Sequence, residues 1–392
     1  MNKKGSKILL ISMLLIAMVF AFLTKNLIKG QISYDKVTIQ NQLEEQLKTM
    51  IVKDYSQYYK NIGVSLEPKT VTIENGVASA VFDAKIDLTL KAEKVEDLPF
   101  MKGVLNYFNS KKLTASKAQI EAANNLIDDW KLELKDYIGK PEPTAYATYK
   151  IVANIKNDST IEGDSLNLYI SQPSSTNKGD DFYPVPSPML ETSEKMEKAG
   201  EESMEETFKK VGNSLIINNT NEVKYTYNRL NARDYANSWT SNPPQTEQYC
   251  CHHKPDGTCD VWQDTSKWNN NDYPYYDNAY CNDCADYVSQ ALHYGGIPIE
   301  AGQWERLKDK DGQFTWAWTY SPSLKGYMMN RGYWTTSNFT NANAGCVIRM
   351  PNAHTMMIVL NDTVTRKYSA HTNDRKQCIY YDYSGWEYYI VQ

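Results

Sequence analysis

Cys284 has the residue type and the position that nucleophilic catalysis requires. It lies in a stretch, residues 281–296, whose apolar residues recur at helical spacing and which ends in a glycine pair. Asn282 or Asp283 is suited to cap this helix, so Cys284 would lie in its first turn. Free backbone N–H groups and the positive end of the helix dipole stabilise a thiolate at that position. The sequence therefore predicts a cysteine nucleophile that needs a histidine from elsewhere in the fold.

Two histidines follow at positions that suit a partner. His354 begins an apolar stretch that is typical of a buried strand, and His371 lies in the next predicted strand. A cysteine at a helix N-terminus followed by a histidine at a strand start is the order found in papain-like cysteine hydrolases. A third polar group must then fix the histidine tautomer, and His371, Asn373 and Asp374 are the candidates. We expect Cys284, His354 and His371 to lie within hydrogen-bond reach of one another.

The cysteines as a group suggest disulfides around one free thiol. All seven follow position 249, and an odd number leaves at least one thiol unpaired in a monomer under oxidising conditions. If Cys284 is the free one, the other six are candidates for three bridges: Cys250, Cys251, Cys259, Cys281, Cys346 and Cys378. Their pairing is open, except that the adjacent Cys250 and Cys251 should have different partners.

Two other interpretations use some of the same residues. Cys281 and Cys284 have the spacing of a redox dithiol, although no thioredoxin-like βαβ pattern surrounds them. A zinc site is the second, with ligands drawn from Cys250, Cys251, His252, His253, Cys259 and Cys281. The candidate ligands within residues 250–259 lack the paired Cys-x-x-Cys spacing of common zinc sites. Our prediction therefore includes no metal and no cofactor.

The N-terminus has the pattern of an export segment. Lys3, Lys4 and Lys7 precede an apolar run, residues 8–23, as in a signal peptide or an uncleaved signal anchor. Residues 1–30 are therefore predicted to hold the protein at the membrane, or to be removed if cleaved. In both cases the rest of the chain faces an extracytoplasmic, oxidising compartment.

The chain after residue 30 divides into three parts by composition. Residues 31–175 alternate helix, strands, helix and strands, an α+β order similar to cystatin-like folds, and are predicted to form a spacer domain. Residues 176–224 are predicted to be a linker and a connecting helix, and residues 225–392 carry all the candidate chemistry. The net charge of −5 gives no sign of nucleic-acid binding.

The C-terminal part resembles the putative amidase domain family of secreted and membrane-anchored bacterial proteins. The matching blocks are residues 227–229 with Ala232, Tyr235, Ala236 and Trp239; Asn242 and Pro243; residues 283–284, 287–292 and 295–296; Trp304; His354, Ile358 and Val359; and residues 371–374. The resemblance implies a papain-like α+β fold in which Cys284 is the nucleophile, His354 the general base and His371 the residue that orients it. Ala285 and Asp286 depart from the Thr and Asn of the usual family motif.

These observations predict an extracytoplasmic cysteine amidase or peptidase that hydrolyses an amide bond in peptidoglycan or a cell-wall peptide. Asp283, Asn373, Asp374 and Trp304 are candidate substrate or oxyanion residues, and Trp316, Trp318 and Tyr280 are further candidates for an aromatic groove. The alternative is a catalytically inactive cell-surface module for binding or assembly, stabilised by disulfides or zinc. Whether the protein forms oligomers is left open by the sequence.

Overall fold

The computed structural model describes residues 35–174, 180–214, 226–273, 281–306, 314–351 and 354–392. Their fold is mixed α/β, with one large, mostly antiparallel sheet. The predicted export segment, residues 1–30, lies outside the described residues. Among the helices that are described, none is long and apolar enough to span a membrane.

The N-terminal half follows the predicted alternation of helices and strands. Its elements are α1 (Lys36–Tyr55), β1 (Tyr59–Glu74), β2 (Val77–Leu90), α2 (Pro99–Lys111), α3 (Lys117–Leu134), β3 (Ala145–Asn154), β4 (Asn167–Pro173) and β5 (Asp180–Pro184). Helix α1 forms because an apolar residue recurs every four positions from Ile39 to Tyr55 and Asp35 caps its first turn. The β1–β2 hairpin turns at Asn75 and Gly76, which both have positive φ, as a tight hairpin turn requires. Helix α2 was not predicted.

The C-terminal half places most of its strands after its helices. Its elements are α4 (Ser193–Ser214), α5 (Arg229–Ser238), β6 (Cys250–His253), β7 (Cys259–Trp262), α6 (Cys284–Tyr294), α7 (Trp316–Thr319), α8 (Ser321–Asn330), β8 (Trp334–Ser337), β9 (Val347–Met350), β10 (His354–Asn361), β11 (Arg366–Ala370), β12 (Arg375–Ile379) and β13 (Glu387–Val391). The strand predicted to begin at His354 is present as β10.

A single sheet of eleven described strands runs through both halves. Its order is β1-β2-β3-β12-β11-β10-β9-β13-β8, with β4 on β3 and β5 on β4. Neighbouring strands are antiparallel except at β3 and β12, which run parallel and meet where Tyr146 pairs with Cys378. This single pair joins the sheet of the predicted spacer to the sheet of the predicted catalytic part. Leu360 and Ile379 also pack into the same apolar core as α1 and the β1–β2 hairpin.

Buried polar contacts reinforce this junction. The carboxylate of Glu133, at the end of α3, accepts hydrogen bonds from Arg229 Nη1 at 2.6 Å, from the Asn361 amide at 3.1 Å and from the Ala344 amide at 3.2 Å. Burial raises the pKa of Glu133, and Arg229 opposes this shift. Because these partners come from the C-terminal half, the N-terminal half packs directly on it.

Candidate functional site

Helix α6 presents Cys284 as its first residue. Helix, cysteine and the apolar face formed by Tyr287, Val288 and Ala291 are all where the sequence predicted them. Asp283 occupies the N-cap position, but its side chain makes no capping hydrogen bond. Cys284 is a free thiol, as predicted, and its side chain is buried.

The surroundings of Cys284 keep its thiol neutral. Burial raises the pKa of Cys284 to about 11, while the backbone N–H groups of Thr355 and Ala285 and the charge of Arg349 oppose this shift. The backbone N–H groups at the helix start therefore lower the pKa of Cys284 as expected, but burial raises that pKa by more. Since Thr355 is the second residue of β10, the sulfur lies against the start of that strand.

His354 is the first residue of β10 and immediately precedes Thr355. It is buried, and its Nε2 has no hydrogen-bond partner among the described residues. The expected hydrogen bond from Cys284 to this nitrogen is therefore not formed. Burial lowers the pKa of His354 to about 4, with a smaller contribution from His371. His354 is thus a neutral imidazole with an unsatisfied nitrogen beside the strand start that contacts Cys284.

His371 has partners other than the predicted one. Its Nδ1 lies 2.6 Å from Oδ2 of Asp283, and its Nε2 donates to the carbonyl oxygen of Trp239 at 2.6 Å. The ring is stacked between Trp268 and Tyr287, with ring centroids 4.2 Å and 4.1 Å away. Because both ring nitrogens are engaged, the prediction that His371 orients His354 by a hydrogen bond is wrong. His371 instead holds the residue that precedes the nucleophile.

Asn373 and Asp374 also have different partners from those predicted. Asn373 Oδ1 accepts from the Trp262 amide at 3.0 Å, and its Nδ2 donates to Asp180 at 3.0 Å. Asp374 Oδ2 accepts from Trp268 Nε1 at 2.9 Å and from the Asp264 amide at 2.8 Å. Both side chains attach the β6–β7 hairpin and the loop after it to the end of β11, so neither orients His354.

The disulfides confirm part of the cysteine prediction. Cys250 is bridged to Cys259 and Cys251 to Cys281, so the adjacent pair has different partners. Cys346 and Cys378 are buried free thiols, and the third predicted bridge is not formed. Four of the six candidate zinc ligands are therefore in disulfides. His253 lies near Glu247 and Cys250 as a three-residue cluster, but a disulfide sulfur is not a thiolate ligand.

The aromatic residues that were expected to line a groove divide by exposure. Trp304 and Trp318 are completely buried and pack against each other with centroids 4.6 Å apart and their planes tilted by 38°, so the prediction that Trp304 contacts substrate is wrong. Trp316 is 70% exposed and Tyr320 50% exposed. Tyr280 lies outside the described residues. Of the described residues that were expected to line a groove, Trp316, in α7, is therefore the one at the surface.

A buried acidic network beneath Cys284 was not predicted. Asp286 accepts a hydrogen bond from Trp318 Nε1 and lies 3.7 Å from the guanidinium of Arg306. Burial raises the pKa of Asp283 to about 8 and that of Asp286 to about 7. Two acidic residues three positions apart on a buried helix face were a visible signal for this network.

Arg349 is a second residue that the sequence analysis missed. It is buried on β9 opposite Thr355, and it donates to Glu387 at 2.6 Å and to Ser321 at 3.2 Å. Its charge acts on the sulfur of Cys284. A basic residue inside an apolar strand was the only sequence signal for it.

Comparison with known proteins finds a similarity for the C-terminal part alone. Residues 226–391 match the putative amidase domain family, and the N-terminal part has no family match. No curated protein and no solved structure matches the chain.

Proposed function

Since residues 226–391 match an amidase family, we propose that this part of the chain is a cysteine-dependent amidase or peptidase. Cys284 would be the nucleophile and His354 the general base and acid. One observation carries the proposal: the free thiol of Cys284 lies against the start of β10, where His354 has a neutral imidazole with an unpaired Nε2. A helix-borne cysteine packed on an antiparallel sheet also supports a papain-like arrangement.

The reaction divides into acylation and deacylation. His354 Nε2 takes the proton from Cys284 Sγ, and the sulfur attacks the amide carbonyl carbon to form a tetrahedral oxyanion. The backbone N–H groups of Ala285 and Thr355 are suited to stabilise this oxyanion. His354 then protonates the leaving amine, which leaves a thioester. Water activated by His354 hydrolyses the thioester and restores the thiol.

In this proposal the first proton transfer occurs in the substrate complex. With a pKa of about 11 for Cys284 and about 4 for His354, the proton stays on sulfur until substrate is bound. Catalytic hydrogen bonds are often long in free enzymes and shorten when substrate is bound. Binding therefore has to bring Sγ and Nε2 together and change the solvation of both.

We propose peptidoglycan or a cell-wall peptide as the substrate. Two disulfides suit an oxidising compartment outside the cytoplasm, in agreement with the export pattern of residues 1–30. The exposed rings of Trp316 and Tyr320 offer contact area for a substrate. In this proposal residues 1–30 hold the protein at the membrane, or direct its secretion if they are cleaved.

The decisive experiment compares variants of residues 31–392 on purified cell-wall fragments, with released amine or new termini as the readout. We expect Cys284→Ser and His354→Ala to lower kcat by at least about 10³-fold. Cys346→Ser is the matched control, because Cys346 is also a buried free thiol. Full activity of the Cys284→Ser variant would refute the cysteine mechanism.

One observation favours a second candidate function, a catalytically inactive module for cell-surface binding or assembly. The thiol is neutral, and His354 Nε2 makes no hydrogen bond to it. The same fragments separate the two functions: an inactive module binds them with equal affinity in the wild-type protein and the Cys284→Ser variant and releases no product from either.

A further inference from the structure

The Cys251–Cys281 disulfide lies three residues before the nucleophile, and the proposed reaction does not require it. We propose that the Cys251–Cys281 bridge positions Cys284 as one member of a closed ring of contacts. The active protein would then need an intact disulfide three residues before a free thiol. This inference rests on the proposed function, but its test also has a readout that needs no substrate.

The backbone at Cys281 supports the proposal. Cys281 has a φ of 55°, in the left-handed region that is unfavourable for a non-glycine residue. Such conformations persist where surrounding contacts enforce them, and they are concentrated at functional sites. Here the side chain is held by the bridge to Cys251, and the carbonyl oxygen accepts from Gln263 Nε2 at 2.9 Å. The chain entering α6 is thus held on both sides of a strained residue.

The hairpin at the other end of the bridge is itself attached to the loop after β11. The Trp262 amide donates to Asn373 Oδ1 at 3.0 Å, and the Asp374 amide donates to the Trp262 carbonyl at 2.9 Å. Asp374 also accepts from the Asp264 amide at 2.8 Å. The β6–β7 hairpin and residues 371–374 therefore form one connected unit.

That unit returns to α6 through Asp283. The Asp283 amide donates to Thr372 Oγ1 at 2.7 Å, and its carboxyl group contacts His371 Nδ1 at 2.6 Å. The ring of contacts thus runs from Cys281 through the hairpin to residues 371–374 and back to Asp283, directly before the nucleophile. Breaking the Cys251–Cys281 bridge would open this ring of contacts and allow the first turn of α6 to move. A displacement of about 1 Å at a reacting atom can cost about 10²-fold in rate.

The other disulfide supplies a matched control. Cys250 and Cys259 join the two strands of the same hairpin and make no covalent link to the helix. Serine at both positions removes a bridge from the same region while the ring of contacts stays closed. Double variants are required, because Cys281→Ser alone leaves a Cys251 thiol that dissolved oxygen can oxidise to a new disulfide with Cys284.

The test compares Cys251→Ser/Cys281→Ser with Cys250→Ser/Cys259→Ser in the protein of residues 31–392. The readouts are kcat, KM and the rate of iodoacetamide alkylation of Cys284 from pH 6 to 10. Non-reducing peptide mapping and circular dichroism first confirm the pairing and the folding of each protein.

In the Cys251→Ser/Cys281→Ser variant we expect kcat to fall at least about tenfold with KM changed less than about threefold. Alkylation at pH 7.5 should rise at least about tenfold, because the buried thiol becomes accessible and its pKa moves toward the ordinary value. In the control, Cys250→Ser/Cys259→Ser, kcat and the alkylation rate should each change by less than about twofold.

These two readouts separate the possible failures. Equal changes in both double variants, or no change in the first, overturn the proposal, as does a wild-type map that lacks the Cys251–Cys281 pair. If the wild-type protein hydrolyses nothing, the proposed function fails, while the alkylation rates still decide the positioning role. If the first variant does not fold, Thr372→Val removes one hydrogen bond of the ring and should shift kcat and alkylation in the same directions by smaller factors. Unchanged alkylation in folded Thr372→Val then refutes the inference.

Discussion

Asp283 and His371 form a buried pair whose protons are constrained by a third group. Nδ1 of His371 lies 2.6 Å from Oδ2 of Asp283, and Nε2 lies 2.6 Å from the carbonyl oxygen of Trp239. A carbonyl oxygen only accepts, so Nε2 carries a proton. The Asp283 contact is then either a protonated carboxyl donating to a neutral ring or a carboxylate accepting from an imidazolium. Burial raises the pKa of Asp283 and lowers that of His371, and both shifts favour the neutral pair.

The neutral pair predicts a difference between two substitutions of Asp283. Asparagine also offers a donor to Nδ1, so Asp283→Asn should change the free energy of unfolding by less than about 1 kcal/mol. Asp283→Ala leaves a buried ring nitrogen without a partner and should cost about 1–3 kcal/mol. Urea unfolding at pH 6.5 measures both. Equal losses in the two variants would indicate an imidazolium–carboxylate pair instead.

The raised carboxyl pKa values predict a pH dependence of stability. Asp283 and Asp286 have pKa values of about 8 and about 7, whereas in the unfolded chain such groups ionise near about 3.9. Unfolding therefore releases protons above pH 4, and the stability contributed by the protonated forms is lost as the pH rises through 7 and 8. The lowered pKa of His354, about 4, acts in the opposite direction, but only below about pH 6.5.

Between pH 6.5 and 8.5 the two carboxyl groups should therefore lower the free energy of unfolding as the pH rises. Each contributes a slope of at most about 1.4 kcal/mol per pH unit. Urea unfolding at several pH values should give a flatter curve for Asp286→Asn, which keeps the acceptor for Trp318. Identical slopes in the variant and the wild type would contradict the assignment.

The ion pair between Lys367 and Glu142 predicts that the two halves of the sheet unfold together. Nζ lies 3.0 Å from Oε2, and both side chains are completely buried between β11 and the segment before β3. Lys367→Met leaves a buried acid without its partner and should cost about 3–5 kcal/mol, whereas adding Glu142→Leu should recover much of that loss. Lys198→Met, at the exposed pair with Glu202, is the control and should cost less than about 1 kcal/mol.

A single cooperative urea transition that moves with Lys367→Met supports joint unfolding of the two halves. Two transitions, of which only one responds, would show that the N-terminal half is an independent spacer, as the sequence predicted.

Two tryptophans should respond differently to truncation. Trp304 is completely buried, so Trp304→Ala should cost about 3–5 kcal/mol of stability. Trp316 is 70% exposed, so Trp316→Ala should leave stability almost unchanged and raise KM for cell-wall fragments several-fold. Thermal unfolding and steady-state kinetics of both variants check this. An unchanged KM in Trp316→Ala would place the substrate elsewhere.

The local features of the site could be predicted from the sequence because they depend on neighbours along the chain. The apolar spacing of residues 284–292 and the glycine pair after them specify the helix that carries Cys284. The apolar run that follows His354 specifies β10. An odd cysteine count and a cysteine just outside the helix correctly indicated that Cys284 is free and Cys281 is bridged.

Only the tertiary structure decided which of these residues meet. The partners of His371 depend on the loop after β11, which brings its two ring nitrogens to Asp283 and to the carbonyl oxygen of Trp239. Cys346 directly precedes β9 and Cys378 lies on β12, and both are buried thiols without a bridge. Burial raises the pKa of Cys284, and Thr355 and Arg349, which oppose that shift, lie more than sixty residues away along the chain, so no local pattern reports the balance. The sequence by itself determined a cysteine at the start of a helix, and long-range packing determined its charge and its neighbours.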